Sequence, residues 1–344
     1  MKKYSTIIAF LSILFLWGCE SENNNTSEAS KVQVIQTFNK ERHAFGDTHQ
    51  QAVEKVFDFQ VEPAEVSSIS MFIKLDCPEG GCNAWDVFAN VRIWDEDAES
   101  WYEMGRYITP YGVDNNMLKD GFKIDVTDFK PLLTGEVRLK SFVEVWGNDG
   151  WLVSIDFKIE KGEPDYKYYA LAEIIDFADH SLAGVPYGED HDFCLEKQIT
   201  MPDNTRETDF RTIITGWGHA TPIDDDQRPC AEWCFRTHTI LIDDAPFFFH
   251  DMKPLGCASN PVQPQNGNWA PDRAGWCPGM EVPVRTNSFE DPLAGETIRF
   301  SYEFEDWTND FQSSADNQHA YYAISSYVVV KSDSPIESPL IQKK

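Results

Sequence analysis

Two short segments carry the residue types that could do chemistry. Each sets an acid beside an indole and next to two closely spaced cysteines: Cys77-Pro-Glu-Gly-Gly-Cys82-Asn-Ala-Trp85-Asp86 and Cys230-Ala-Glu232-Trp233-Cys234. A closed cysteine loop would hold the carboxylate in place. An indole face stacks on the apolar side of a sugar ring, and a carboxylate takes its hydroxyls or moves a proton. Together the two segments read as a carbohydrate site. A third acid and indole lie in the segment from Val137 to Trp146. As a strand it puts Val137, Leu139, Val143 and Val145 on one face and Arg138, Lys140, Glu144 and Trp146 on the other. Glu144 and Trp146 are then neighbours on the non-core face.

Whether the cysteines are bridged depends on compartment. Lys2 and Lys3 precede an apolar run from Ile7 to Trp17 that ends in Leu16-Trp17-Gly18-Cys19, the layout of a bacterial lipoprotein signal peptide. The run is too short to span a bilayer. Residues 1-18 are therefore expected to be removed, Cys19 to be lipidated, and the polar stretch 19-31 to act as a disordered tether. The protein is expected to be exported and lipid-anchored to the bacterial envelope, touching membrane only through that anchor. Losing Lys2 and Lys3 takes the formal charge from -28 to -30, which argues against nucleic acid as a partner.

Of the eight cysteines, the seven after Cys19 would sit in an oxidising compartment. The simplest pairing by proximity is Cys77 with Cys82, Cys230 with Cys234 and Cys257 with Cys277, leaving Cys194 free, although sequence alone does not fix connectivity. Zinc is the competing explanation. Neither the cysteine spacings nor the eight scattered histidines fit a usual zinc site, so no metal is expected. Ile223-Asp-Asp-Asp-Gln reads as a solvated acidic loop, and His219 and His238 as hydrogen-bonded structural histidines.

The elements that must position these residues are strands. Ile69, Met71 and Ile73 alternate with Ser68, Ser70 and Phe72, and Tyr321 to Val330 is rich in β-branched and aromatic residues. Short strands punctuated by Gly, Pro and Asn suit sandwiches or jelly rolls. The polar break from Glu160 to Asp165 is the best linker, dividing the chain into domains at 32-162 and 163-344.

These residues resemble the peptide:N-glycosidase F family. The likeness runs through Ala44-Phe-Gly-Asp47, Trp85-Asp86, Ile108-Thr-Pro-Tyr111, Ile124 to Phe129, Glu144-Val-Trp146, Gly216-Trp-Gly-His219, Cys230 to Thr239, Gly267 to Met280, and Tyr322 to Ser326. The resemblance implies an all-β fold of two consecutive eight-stranded antiparallel jelly-roll domains packed side by side, with the site in the cleft between them. It also supports the three cysteine pairings and implies a monomer. The implied reaction is hydrolysis of the amide between Asn and the first GlcNAc of N-glycosylated peptides and glycoproteins, with no cofactor. Asp86 is then the principal catalytic carboxylate, with Glu232 and Glu144 as acidic partners. Trp85, Trp146, Trp217, Trp233 and Arg273 would line the cleft and position substrate.

Two other functions stay open at this stage: a non-catalytic surface glycan-binding lipoprotein, and a glycoside hydrolase cutting within the chitobiose core. The chain also departs from the family. Val87 follows Trp85-Asp86 where the best-known member has an arginine, and Trp151 stands where that member has a basic residue. The family rejects glycans with α1,3-fucose on the first GlcNAc, so these changes would ease that rejection if Val87 faces substrate. They would do nothing if Val87 packs in the core.

Overall fold

The structure, a computed structural model, describes residues 31–46, 49–220, 230–233, 235–309 and 319–343. Residues 1-30, with Cys19, lie outside them, as do Asp47, Cys234 and the acidic sequence 223–227. The described residues form four antiparallel sheets.

In the first half of the chain, one sheet orders the strands Val32–Gln36, Trp151–Lys161, Val66–Asp76 and Phe122–Asp125, and a second orders Ser100–Ile108, Phe88–Asp95, Gly135–Val143 and Ala52–Phe59. Alternation closes them into a sandwich. Ile69, Met71, Ile73 and Leu75 from one sheet meet Val91, Ile93, Leu139 and Val143 from the other, all at 0% exposure, because period-2 side chains share one face of a strand.

The second half repeats the plan. Tyr168–Phe177, Ala320–Ser332 and Glu207–Ala220 form one sheet, and Thr237–Ile242, Thr297–Phe304 and Glu196–Thr200 are central to the other. Phe210, Ile214, Ile240, Phe300 and Ile324 build the core between them. Short edge segments raise the number of strands above the eight expected in each sandwich. One of them, Met280–Glu281, belongs to the second half of the sequence yet pairs with Ser100–Ile108 of the first.

The two sandwiches meet sheet to sheet, which explains why Ala320–Ser332 is apolar on both faces. Tyr322, Ile324 and Val328 enter the second core, while Ala323, Tyr327 and Val329 turn toward the first sandwich. At this contact Arg106 makes a two-pronged ion pair with Glu103 (2.9 and 2.7 Å) and donates to Thr215 and the Ala323 carbonyl across the junction at 2.6 and 2.8 Å. Both charges are fully buried.

Candidate active site

Asp86 stands in the loop between the Cys77–Cys82 disulfide and strand Phe88–Asp95. Thr109, fully buried just past the end of the neighbouring strand, pins the backbone on both sides of it. Its hydroxyl accepts the Val87 N–H at 2.9 Å and donates to the Trp85 carbonyl at 3.0 Å. Asn83 holds the preceding step, accepting the Trp85 N–H at 3.0 Å while donating to Asp149 at 2.8 Å. Such local side-chain bonds replace ladder bonds where a strand has not yet begun.

Glu232 reaches the same place from the second half of the chain. Its carbonyl accepts the Ala274 N–H at 2.7 Å, tying the loop around Glu232 to the segment that carries Arg273. Arg273 joins the two acids. Its Nη2 lies 3.6 Å from Asp86 Oδ2 and its Nε 3.7 Å from Glu232 Oε1. The guanidinium also donates to the Asn268 carbonyl at 2.6 Å, to the Pro271 carbonyl and to the Tyr111 hydroxyl at 3.3 Å. The rings of Trp233 and Trp276 lie 5.8 and 5.4 Å away. Tyr111 in turn hydrogen-bonds Asp86. Its ring lies so close to Gly267 that a Cβ there would come within 2.2 Å of it, so this approach needs glycine.

The electrostatics follow from this packing. Burial pushes the Asp86 carboxyl up to about 7. The Arg273 charge opposes that rise, Glu232 adds to it, and the Tyr111 hydrogen bond opposes it. Asp86 Oδ2 is buried and accepts no hydrogen bond from the described residues. An acceptor of this kind, titrating near neutrality, is suited to take a proton from water.

Glu144 is held separately. The strand carrying it ends at Val143, so Glu144 and Trp146 lie just beyond it. The Glu144 N–H donates to the Phe88 carbonyl at 2.9 Å, which sets it alongside the strand that Asp86 leads into. Its two carboxylate oxygens accept the Ser181 N–H at 2.8 Å and the Ser181 hydroxyl at 3.0 Å. Burial raises its pKa against the pull of these bonds and of His180. Glu144 and Trp146 line the same cleft, but they are unlike in exposure: Glu144 is buried, and Trp146 is 67% exposed.

Several expected site residues take different places. Trp85 and Trp146 are exposed, and Trp146 leans on the exposed Phe45 with ring centres 5.2 Å apart. Trp233 sits by Arg273. Trp217 is instead buried beneath the cleft. It stacks on Trp276 at 4.4 Å and donates its N–H to Thr215 at 2.8 Å, so it is a support and not a stacking platform. Arg273 does not line the surface either. At 1% exposure it fixes the acids from behind. Val87 packs against the first core and Trp151 is fully buried in it. Neither opens room beside a sugar, so neither would ease a rejection of α1,3-fucose.

The Cys257–Cys277 disulfide is formed and Cys194 is free. The third pairing involves Cys234, outside the described residues. His238 is the expected structural histidine, bonded to the Tyr302 hydroxyl at 2.8 Å, while the side chain of His219 lies outside the described set. Sequence reasoning missed the positioning roles of Thr109, Tyr111, Asn83 and Ser181. Thr109 and Tyr111 lay in a quoted motif, Ile108 to Tyr111, whereas nothing local marked Ser181.

A two-sandwich β protein that gathers buried carboxylates beside exposed indoles has, in class, the features of a carbohydrate-directed protein. The comparisons with known proteins are more specific. Family models described as "Peptide-N-glycosidase F, N terminal" and "Peptide-N-glycosidase F, C terminal" match residues 87–159 and 187–329. The chain is 48% identical over 320 residues to peptide-N(4)-(N-acetyl-beta-D-glucosaminyl)asparagine amidase F of Elizabethkingia miricola, with 93% of this chain and 89% of that one covered. The solved structure of PNGase F, a glycosylasparaginase from Flavobacterium meningosepticum, matches with a TM-score of 0.87 at 47% identity, covering 91% of this chain and 99% of that one. PNGF-II matches with a TM-score of 0.68 at 15% identity, over 88% of this chain and 65% of that one, which shows the fold alone. This chain belongs to the peptide-N-glycosidase F family.

Proposed function

We propose that this protein hydrolyses the β-aspartylglucosaminyl amide of N-glycosylated peptides and glycoproteins, releasing the glycan as a glycosylamine and converting Asn to Asp. The observation that carries this reading is the pair of acids, Asp86 and Glu232, bridged by the buried Arg273 in a chain 48% identical to a named amidase. Asp86 takes a proton from water as the water oxygen bonds to the amide carbon. The carbon–nitrogen bond then breaks, the nitrogen receives the proton that Asp86 took from water and leaves as glycosylamine, and Asp86 is again a carboxylate. Glu232 orients the water or the amide, and Glu144 holds a GlcNAc hydroxyl. Trp85, Trp146 and Trp233 offer ring faces to the sugar and peptide.

We also infer that the mature chain begins at a lipidated Cys19, sits on the bacterial envelope and acts as a monomer, with domains at 32-162 and 163-344. The basic start, the apolar run and Leu16-Trp17-Gly18-Cys19 support the anchor. Incubation with a glycopeptide tests the activity. Asp in place of Asn in the product supports it, a GlcNAc left on Asn makes the protein a glycoside hydrolase, and unchanged substrate makes it a binder.

A further inference from the structure

A cleft of about 350 Å³ runs beside the site, lined by Asn90, Lys140, Phe142, Glu144, Trp146 and His180 among others. Asn90 is fully buried. Its Nδ2 donates to the Ala178 carbonyl at 3.2 Å, which fixes the orientation of the amide, and its Oδ1 accepts nothing from the described residues. A buried acceptor left so costs about 1–3 kcal/mol, and it lies under the floor of the cleft. Lys140 is half-buried. Its ammonium lies 4.4 Å from the centre of the Trp101 ring and makes no ion pair among the described residues. Burial, with Arg92 nearby, lowers its pKa, so a ligand oxygen would stabilise its charge.

These groups stand on a sheet face, where strands Phe88–Asp95 and Gly135–Val143 already spend their backbone groups on each other. A peptide would find no free edge to pair with there. Sugar hydroxyls and ring faces suit a side-chain donor such as Lys140 and the exposed face of Trp146. Glu144 lies four positions after Lys140, just past the end of the strand at Val143, a span of roughly 13 Å along extended chain, so Lys140 stands beyond a sugar held by Glu144.

We propose that this cleft binds the part of the N-glycan beyond its chitobiose unit, a neutral oligosaccharide, with Lys140 donating to sugar hydroxyls and Trp146 offering a ring face. The proposal rests on the amidase reading of the neighbouring acids. Its test compares two glycopeptides of identical peptide sequence, one bearing chitobiose and one bearing the trimannosyl-chitobiose core. Lys140→Met keeps the side-chain stem over Trp101. It is expected to lower kcat/KM about tenfold on the longer glycan and less than twofold on chitobiose. Equal losses on both substrates, or none on either, would overturn the proposal. So would a loss that follows peptide length, which would assign the cleft to peptide. Titration with the free trimannosyl-chitobiose oligosaccharide should show about tenfold weaker binding by Lys140→Met, and unchanged binding would overturn the proposal. The titration reads the cleft even if neither glycopeptide is hydrolysed, an outcome that would contradict the amidase reading alone.

Discussion

Asp86 is a carboxyl moved toward neutrality mainly by burial, so its chemistry and its effect on stability run in opposite directions. Its folded-state pKa is raised, so its contribution to stability is fully present below the ordinary carboxyl value and is lost as pH rises through about 7. Asp86→Asn removes that loss. The variant is expected to abolish deglycosylation yet melt higher than wild type at pH 8, by on the order of 2–4 kcal/mol, with little difference at pH 4. Lower stability of the variant at pH 8 would contradict the desolvated acid. Acting as a base, Asp86 should make kcat/KM rise with pH through about 7. The Tyr111 hydrogen bond lowers its pKa, so Tyr111→Phe should move the inflection to higher pH. A pH profile with an unmoved inflection would remove Tyr111 from the site.

At the scale of elements, the acid is only as well placed as the loop that carries it. Thr109 stitches the Trp85 carbonyl and the Val87 N–H to one hydroxyl. Thr109→Val keeps the shape and leaves both groups unpaired, at about 1–3 kcal/mol each. Expected is a folded enzyme with kcat lowered at least tenfold, because a loosened Asp86 loses geometry before it loses chemistry; unchanged kcat would show that the clamp does not position the acid. The strands themselves were legible in the sequence. Alternation at Ile69, Met71 and Ile73 and the doubly apolar run from Tyr321 to Val330 are direct marks of one buried face and of two. Asp86 and Glu232 were legible because each sits beside an indole and a cysteine loop, and Glu144 because it sits beside an indole. What escaped was tertiary. Arg273 and Trp217 looked like cleft residues because an arginine or an indole in a motif gives no sign of depth. Ser181 reaches Glu144 from 37 positions away, a distance no local pattern records.

At the scale of the whole molecule, the site needs two sandwiches held in fixed register, since Asp86 comes from one and Glu232 from the other. Arg106, paired with Glu103 on its own strand, reaches across that junction to Thr215 and the Ala323 carbonyl. Arg106→Met leaves Glu103 buried without its partner, an expected loss of about 3–5 kcal/mol in chemical denaturation, and a loss under about 1 kcal/mol would show that the pair does not hold the halves together. Water activated at Asp86 is expected to enter the Asn side chain. This is tested most directly by mass spectrometry of a glycopeptide treated with wild type and Asp86→Asn in heavy-oxygen water. Wild type should give Asp carrying one heavy oxygen together with released glycosylamine, and Asp86→Asn should give neither. A GlcNAc left on an unlabelled Asn, or labelled Asp formed by folded Asp86→Asn, would contradict it.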